Sequence, residues 1–364
     1  LRTSIDGELA NGKLVPFDEA RAYTLYRLVS GPAADVLASS QAIVVDPSGP
    51  LQQLPIGVLV TRYTRDRARM DAFDFSNTAF LASSAAISTA LSPRSFLVAR
   101  TLPSSRAPRS FLGYGEHALP SVVQFGSAPI RVGFGCTVTG DRLNEVARSL
   151  KPIKATELRI AASALGANDA EIVTGSTFSD TAVEAREDLD QFEVVHFATH
   201  GLEEGMWGCA KSPPALVTSF GAGGSDGLLD FAEIARLRLD ANLVVLSACD
   251  TAAGVRGEAL ARSAGQEQAG SALEGLVRAF LTANARSVLA TYWQVSAEEE
   301  SDAFMKTFYA TARRGTIGEA LRAAQKSLIA RPQYSHPFYW APYFLVGDSA
   351  KPMLTRGGEQ VAQR

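Results

Sequence analysis

The sequence predicts an α/β fold with a mostly parallel central sheet flanked by helices. Three observations lead there. Short apolar runs, such as Val194-Val195-His196-Phe197 and Leu243-Val244-Val245-Leu246, alternate with segments of helical period such as Ala297 to Arg313 and Thr316 to Ala330. The runs are almost continuously apolar, as strands buried on both faces are. The segments between them are long enough for right-handed crossovers between parallel strands.

Taken in order, Glu19 to Leu37 reads as a helix broken in two by Gly31-Pro32. Ala42 to Val45 and Ile56 to Val60 read as strands around the turn residues Asp46 to Pro50. Ser76 to Arg100 is Ala- and Ser-rich with a helical pattern, and Ser92-Pro93 can open a helix as cap and first residue. Pro103 to Arg109 reads as a linker. After it come a strand at Arg131 to Gly135, helices at Leu143 to Leu150 and Ala155 to Leu165, and a strand at Glu171 to Val173. A helix follows from Asp180 to Leu189, with Asp180 as its cap. Strands at Val194 to Ala198, Ala215 to Phe220 and Leu243 to Leu246 flank a helix from Asp230 to Leu237. A helix from Ala272, a strand from Ser287 to Trp293, the two long helices and a last strand, Tyr343 to Val346, complete the pattern. The organisation expected is an N-terminal part over residues 1–105, a main domain over 106–350 and a polar tail over 351–364.

Composition narrows the function. The chain has 364 residues, 46% hydrophobic and 20% charged, with a net charge of −3 and a pI near 5.9. Such a balance offers no basic excess for nucleic-acid binding through counterion release. No apolar run reaches the roughly 20 residues of a bilayer span. The three cysteines, at 136, 209 and 249, do not make a disulfide framework. They fit a reducing, cytoplasmic setting. The first residue is Leu1, so upstream sequence is expected.

Two strand ends carry the chemistry. His200-Gly201 follows the run Val194 to Thr199, and Cys249-Asp250 follows Leu243 to Ala248. In parallel α/β sheets, sites form outside the carboxyl ends of strands. A thiol near its usual pKa is a weak nucleophile, and a neighbouring imidazole can take its proton and later return it to a leaving amine. Gly201 lets the main chain approach a substrate, and the amide of Cys249 is a second oxyanion donor. A cysteine at a strand end also serves as small apolar filler, and residue types alone leave both readings open. His196, in the strand body, reads as a core or sheet-face histidine rather than a catalyst; His117 and His336 read as structural or solvated. His196 and His200 are four apart, but a zinc pair at that spacing needs a helix and a general-base Glu, and position 197 is Phe. No metal or cofactor is expected. Gly133-x-Gly135 lacks the third glycine of a dinucleotide loop, and no Gly-x-Ser-x-Gly elbow occurs.

Several motifs together resemble the CHAT domain, a bacterial branch of the caspase–separase group of cysteine peptidases. They are Asp46 to Leu51 with Leu54-Pro55-Ile56, Ser92-Pro93-Arg94-Ser95, His196-Phe197-Ala198-Thr199-His200-Gly201 and Leu246-Ser247-Ala248-Cys249-Asp250-Thr251. Leu276 to Phe280, Ala285 to Val295, Ala320 to Gln325 and His336 to Tyr343 continue the likeness, which runs from about residue 41 to 348. The 49-residue interval between His200 and Cys249 is similar to that of caspases.

The resemblance implies a caspase-like three-layer sandwich, with residues 1–105 as a degenerate half. It implies a cysteine endopeptidase acting on a protein through a thioacyl intermediate. His200 would be base and acid, Cys249 the nucleophile, and Gly201 with Cys249 the oxyanion hole. It further implies a role in bacterial defence or regulated cell death, and an upstream tetratricopeptide-repeat region or activating partner. Ser247 replaces the Gln of the caspase Gln-Ala-Cys signature, so Ser247 and Asp250 are weak candidates for substrate contacts. Asp250 serves equally as a turn cap. The segment 257–271 is longer than the family's connection, which suggests a flap or an autocleavage loop. The alternative reading is a non-catalytic interaction module on the same fold.

Overall fold

A computed structural model describes residues 1–7, 14–64, 71–119, 129–132, 136–141, 150–202, 213–221, 224–247, 269–293, 295 and 299–355. Of the helix expected over Leu143 to Leu150, residues 143–149 lie outside the described residues, as do residues 257–268 of the segment 257–271, whose last three residues begin a helix. The chain forms two compact units, one of Leu1–Ser104 with Glu298–Arg364 and one of Ser105–Ala297. The changeover at residues 104 and 105 falls inside the Pro- and Arg-rich stretch 103–109.

The first unit opens with α1 (Thr3–Asp6), α2 (Glu19–Ser30) and α3 (Ala34–Ser39). The Asp18 carboxylate caps α2 by accepting from the Arg21 amide at 2.9 Å. Gly31, at φ +46°, ends it. β1 (Ala42–Val45), α4 (Leu81–Ser84), β2 (Ala86–Thr89) and α5 (Pro93–Thr101) follow. β1 pairs parallel with β2, Ala42 opposite Ala86 and Val45 opposite Thr89. α5 begins as expected, with Pro93 at its first position and Ser92 and Ser95 forming a reciprocal capping box.

Two expectations in this region need correction. Ile56 to Val60 is not a strand: Ile56–Val58 is a single 3₁₀ turn, and only Val60 makes an isolated bridge, to Phe80. Pro55 supplies no N–H and presets the turn, while burial of the whole run accounts for its apolar composition. The helical reading of Ser76 to Arg100 missed β2, whose residues Ala-Ile-Ser-Thr carry little periodic signal.

The second unit contains β3 (Leu112–His117), β4 (Pro129–Val132), β5 (Cys136–Thr139), α6 (Thr156–Leu165), β6 (Ile172–Gly175) and α7 (Asp180–Glu184). It continues with β7 (Val194–Ala198), β8 (Gly201–Leu202), β9 (Ala215–Val217), β10 (Leu228–Asp230), α8 (Phe231–Arg236), β11 (Leu243–Ser247), α9 (Ala269–Thr282) and β12 (Val288–Thr291). Five strands lie in the order β12–β11–β7–β3–β6, every pair parallel. β8, β9 and β10 form a small antiparallel sheet, and β4 pairs antiparallel with β5. Val194, Val195, Leu243, Val244 and Val288 are fully buried, each stabilising the fold by about 1.5–3 kcal/mol. α6 ends at Gly166, left-handed at φ +73°, and the exposed turn 166–170 leads into β6. The cap of α7 is Ser179, whose hydroxyl accepts from the Ala182 amide at 3.2 Å, rather than the expected Asp180. Asp180 instead accepts from the Ser225 hydroxyl.

The chain then returns to the first unit as α10 (Glu299–Ala312), α11 (Ile317–Ile329), α12 (Pro337–Trp340) and β13 (Tyr343–Val346). β13 pairs parallel with β2 through Val346 and Thr89. Thr316 and Glu319 form the capping box of α11. Phe304 of α10 stacks on Tyr343, with ring centroids 3.7 Å apart. His336 is buried rather than solvated. Its Nε2 donates to the Val15 carbonyl at 3.0 Å and its Nδ1 accepts from the Phe338 amide at 3.1 Å. Those two bonds use both ring nitrogens of one neutral tautomer. Among the described residues, no helix is long and apolar enough to cross a membrane.

Candidate active site

β7 and β11 are neighbours and run parallel, with Val194 opposite Leu243 and Ala198 opposite Ser247. Both therefore leave the sheet at the same edge and at the same height. His200 lies two residues beyond Ala198 in the chain, and Cys249 lies two residues beyond Ser247. Cys249 and Asp250 are outside the described residues, as is Cys209.

The turn that carries His200 is held from several sides. The Thr199 hydroxyl, fully buried, donates to the Val217 carbonyl at 2.6 Å. The Val217 amide donates to the His200 carbonyl at 2.8 Å. That bond makes Gly201 and Leu216 a non-hydrogen-bonded pair of the β8–β9 ladder, so the Gly201 N–H points away from β9. The His200 ring is half-buried, and its Nε2 lies 2.6 Å from the Lys151 carbonyl. A carbonyl can only accept, so Nε2 carries the hydrogen and Nδ1 presents the basic lone pair. This main-chain partner has no side-chain signature in the sequence.

Under this edge lies a buried polar group. Glu157, on the first turn of α6, accepts from the Ser247 hydroxyl at 3.1 Å through Oε2. Its Oε1 is 3.7 Å from Nε2 of His196. His196 is fully buried, and burial lowers its pKa to about 3. The ring is therefore neutral, and the contact is polar rather than ionic. His196 belongs to the strand core, as its place in the run predicts. His117, in contrast, is buried beside His200, with ring centroids 6.0 Å apart. The solvated alternative does not hold for it.

No group of three His, Cys, Asp or Glu side chains able to hold a metal ion occurs among the described residues. His196 and His200 sit on and just beyond a strand, so their four-residue spacing is not that of a helical pair.

The family profile of the CHAT domain matches residues 19–348. The chain belongs to the CHAT domain family. This CHAT domain is similar to Tetratricopeptide repeat protein 28 of Mus musculus, at 33% identity over 129 residues, covering 34% of this chain and 5% of that protein. To the Homo sapiens protein of the same name it is 28% identical over 200 residues, covering 45% of this chain and 7% of the relative. The match thus takes in only a small fraction of those relatives' length. Among solved structures, the CHAT domain is similar to the Arg specific cysteine proteinase gingipain R (RGPB), with a TM-score of 0.43, 9% identity and coverage of 94% of this chain and 70% of that one. The complex of Porphyromonas gingivalis RgpB pro- and mature domains matches with a TM-score of 0.43, 10% identity and coverage of 93% and 70%.

Proposed function

We propose that this CHAT domain is a cysteine endopeptidase that cleaves a protein with His200 and Cys249. The observation that carries the reading is the pairing of Ala198 with Ser247 on adjacent parallel strands. Adjacent strands are about 4.8 Å apart, and two residues of chain reach at most about 7 Å. A thiol and an imidazole that leave matched positions on such strands can reach one another.

The reaction uses Nδ1 of His200 as base, because Nε2–H is committed to the Lys151 carbonyl. Nδ1 takes the Cys249 proton as the sulfur adds to the peptide carbonyl. The Gly201 and Cys249 amides hold the resulting oxyanion. The imidazolium then protonates the leaving amine, and the C–N bond breaks to leave a thioacyl enzyme. Water, deprotonated by the same nitrogen, releases the acid and regenerates the thiol. Ser247 and Asp250 are candidates for substrate contact. The names of the curated relatives support an association with tetratricopeptide repeats. We assign the protein a cytoplasmic role in bacterial defence or regulated cell death on the family resemblance.

Iodoacetamide labelling followed by peptide mass mapping tests the site. Cys249 is expected to react much faster than Cys136 and Cys209, and His200→Ala to slow it. Equal labelling of all three thiols would favour a non-catalytic interaction module. New protein N-termini that appear with wild type and not with Cys249→Ala would identify the substrate.

A further inference from the structure

β3 does not end regularly. Its pairing with β6 shifts between Tyr114, opposite Val173, and His117, opposite Gly175. Such a bulge re-aims the side chains that follow it. Within it, Glu116 has φ +46°, a left-handed conformation that a residue with a Cβ seldom takes. Its carboxylate accepts from the Ala155 amide at 3.1 Å. Strain of this kind is retained where its surroundings over-determine it, and it gathers at functional sites.

The residue that the bulge delivers is His117. Its ring is 1% exposed and lies edge-on between His200, at 6.0 Å, and Phe220, at 6.4 Å. His117 Nε2 is 3.2 Å from the Leu150 carbonyl. The next carbonyl in the chain, that of Lys151, is the one that His200 Nε2 meets at 2.6 Å. Two adjacent imidazoles thus hang on two consecutive carbonyls.

We propose that His117 is a positioning residue for His200: by donating to the Leu150 carbonyl it fixes the 150–151 backbone, whose second carbonyl holds His200 with hydrogen on Nε2 and the basic lone pair on Nδ1. This rests on His200 being the base. Histidine suits the task because burial, and then the neighbouring charge of His200, lower the His117 pKa to about 4. The ring therefore stays neutral and adds no second positive charge beside His200 when His200 is protonated.

Nitrogen-15 NMR of the histidine-labelled full chain tests it. In wild type at pH 7.5, both His117 and His200 are expected in the Nε2–H form. In His117→Phe, His200 is expected to mix tautomers, and Cys249 alkylation by iodoacetamide to slow about tenfold. His117→Asn keeps a donor and is expected to restore most of both. A wild-type His117 with hydrogen on Nδ1 would overturn the proposal, and that measurement needs no variant to fold. So would a folded Phe variant with unchanged His200 tautomer and unchanged alkylation. If wild-type Cys249 reacts no faster than the other thiols, the peptidase reading fails instead, and the tautomers still report whether His117 positions His200.

Discussion

The Ser247 hydroxyl donates to the buried Glu157 carboxylate, joining the last residue of β11 to the first turn of α6. The bond crosses 90 positions of sequence. It fixes the end of the strand that leads to Cys249. Ser247→Ala is expected to cost about 1–2 kcal/mol, since a buried acceptor loses a donor. Urea denaturation reads this directly, and an unchanged midpoint would contradict it.

Gly115 has a steric reason to be glycine. A Cβ there would lie 2.7 Å from the Ala198 carbonyl oxygen and 3.0 Å from Leu158 Cδ1. Gly115→Ala must push β3 from β7 near His200. A loss of about 1–3 kcal/mol is expected, with slower alkylation of Cys249. Gly275→Ala is the contrast: on α9, among the described residues, its Cβ would meet only Pro214, at 3.9 Å. That change is expected to stabilise the chain by about 0.5–1 kcal/mol.

Arg109 ties three segments of the second unit together. Its guanidinium bonds Glu171 at 3.0 Å and Asp188 at 2.9 Å, and lies 4.1 Å from the Phe192 ring centroid. Asp188 has its pKa lowered, first by its bond to Arg186 and, after the cost of burial, by the charges of Arg186 and Arg109. Arg109→Ala is expected to cost about 1–2 kcal/mol. Lysine should recover only part, because it cannot serve two carboxylates with a planar fork. Thermal denaturation of the three proteins at low and high salt would show both effects.

His336 makes stability depend on pH in a definite direction. Burial lowers its pKa to about 4, so between that value and the unfolded value near 6.5 the unfolded chain binds more protons. Stability from this group is therefore complete above about pH 6.5 and falls as pH drops towards 4. By pH 5 the loss is about 2 kcal/mol. His117 and His196 act in the same sense. Asp226, raised to about 6 by burial and by Asp180, and Glu233, raised to about 7 by burial and by nearby carboxylates, oppose it. The measurement that isolates His336 is the stability gap between wild type and His336→Gln, which should shift by about 2 kcal/mol in favour of the variant between pH 7.5 and 5. A gap constant with pH would refute the assignment.

The strands that frame the site were legible because double-sided burial writes continuous apolar runs, as in Val194 to Ala198 and Leu243 to Ser247. His200 at the end of one run could be read for the same reason. β3 was not legible, although it lies next to β7. Gly113 and Gly115 weaken its strand signal, and the need for them comes from tertiary packing against Leu158 and Ala198. The Lys151 carbonyl leaves no trace, since every residue type supplies one. Glu157 looks in sequence like an ordinary helix-start acid, and only the fold turns it towards Ser247. His117 was set aside because nothing local foretells a bulge.

A sheet whose strands all point one way has a quiet rim as well as a reactive one. The turn 166–170 after Gly166 enters β6 from the amino-terminal side, opposite the edge where His200 emerges. Foreign sequence grafted there, such as an affinity tag or a dye-bearing cysteine, would sit at the rim of this five-stranded sheet opposite the proposed site. It offers an anchorage for immobilising the protein that leaves the His200 edge of the sheet open.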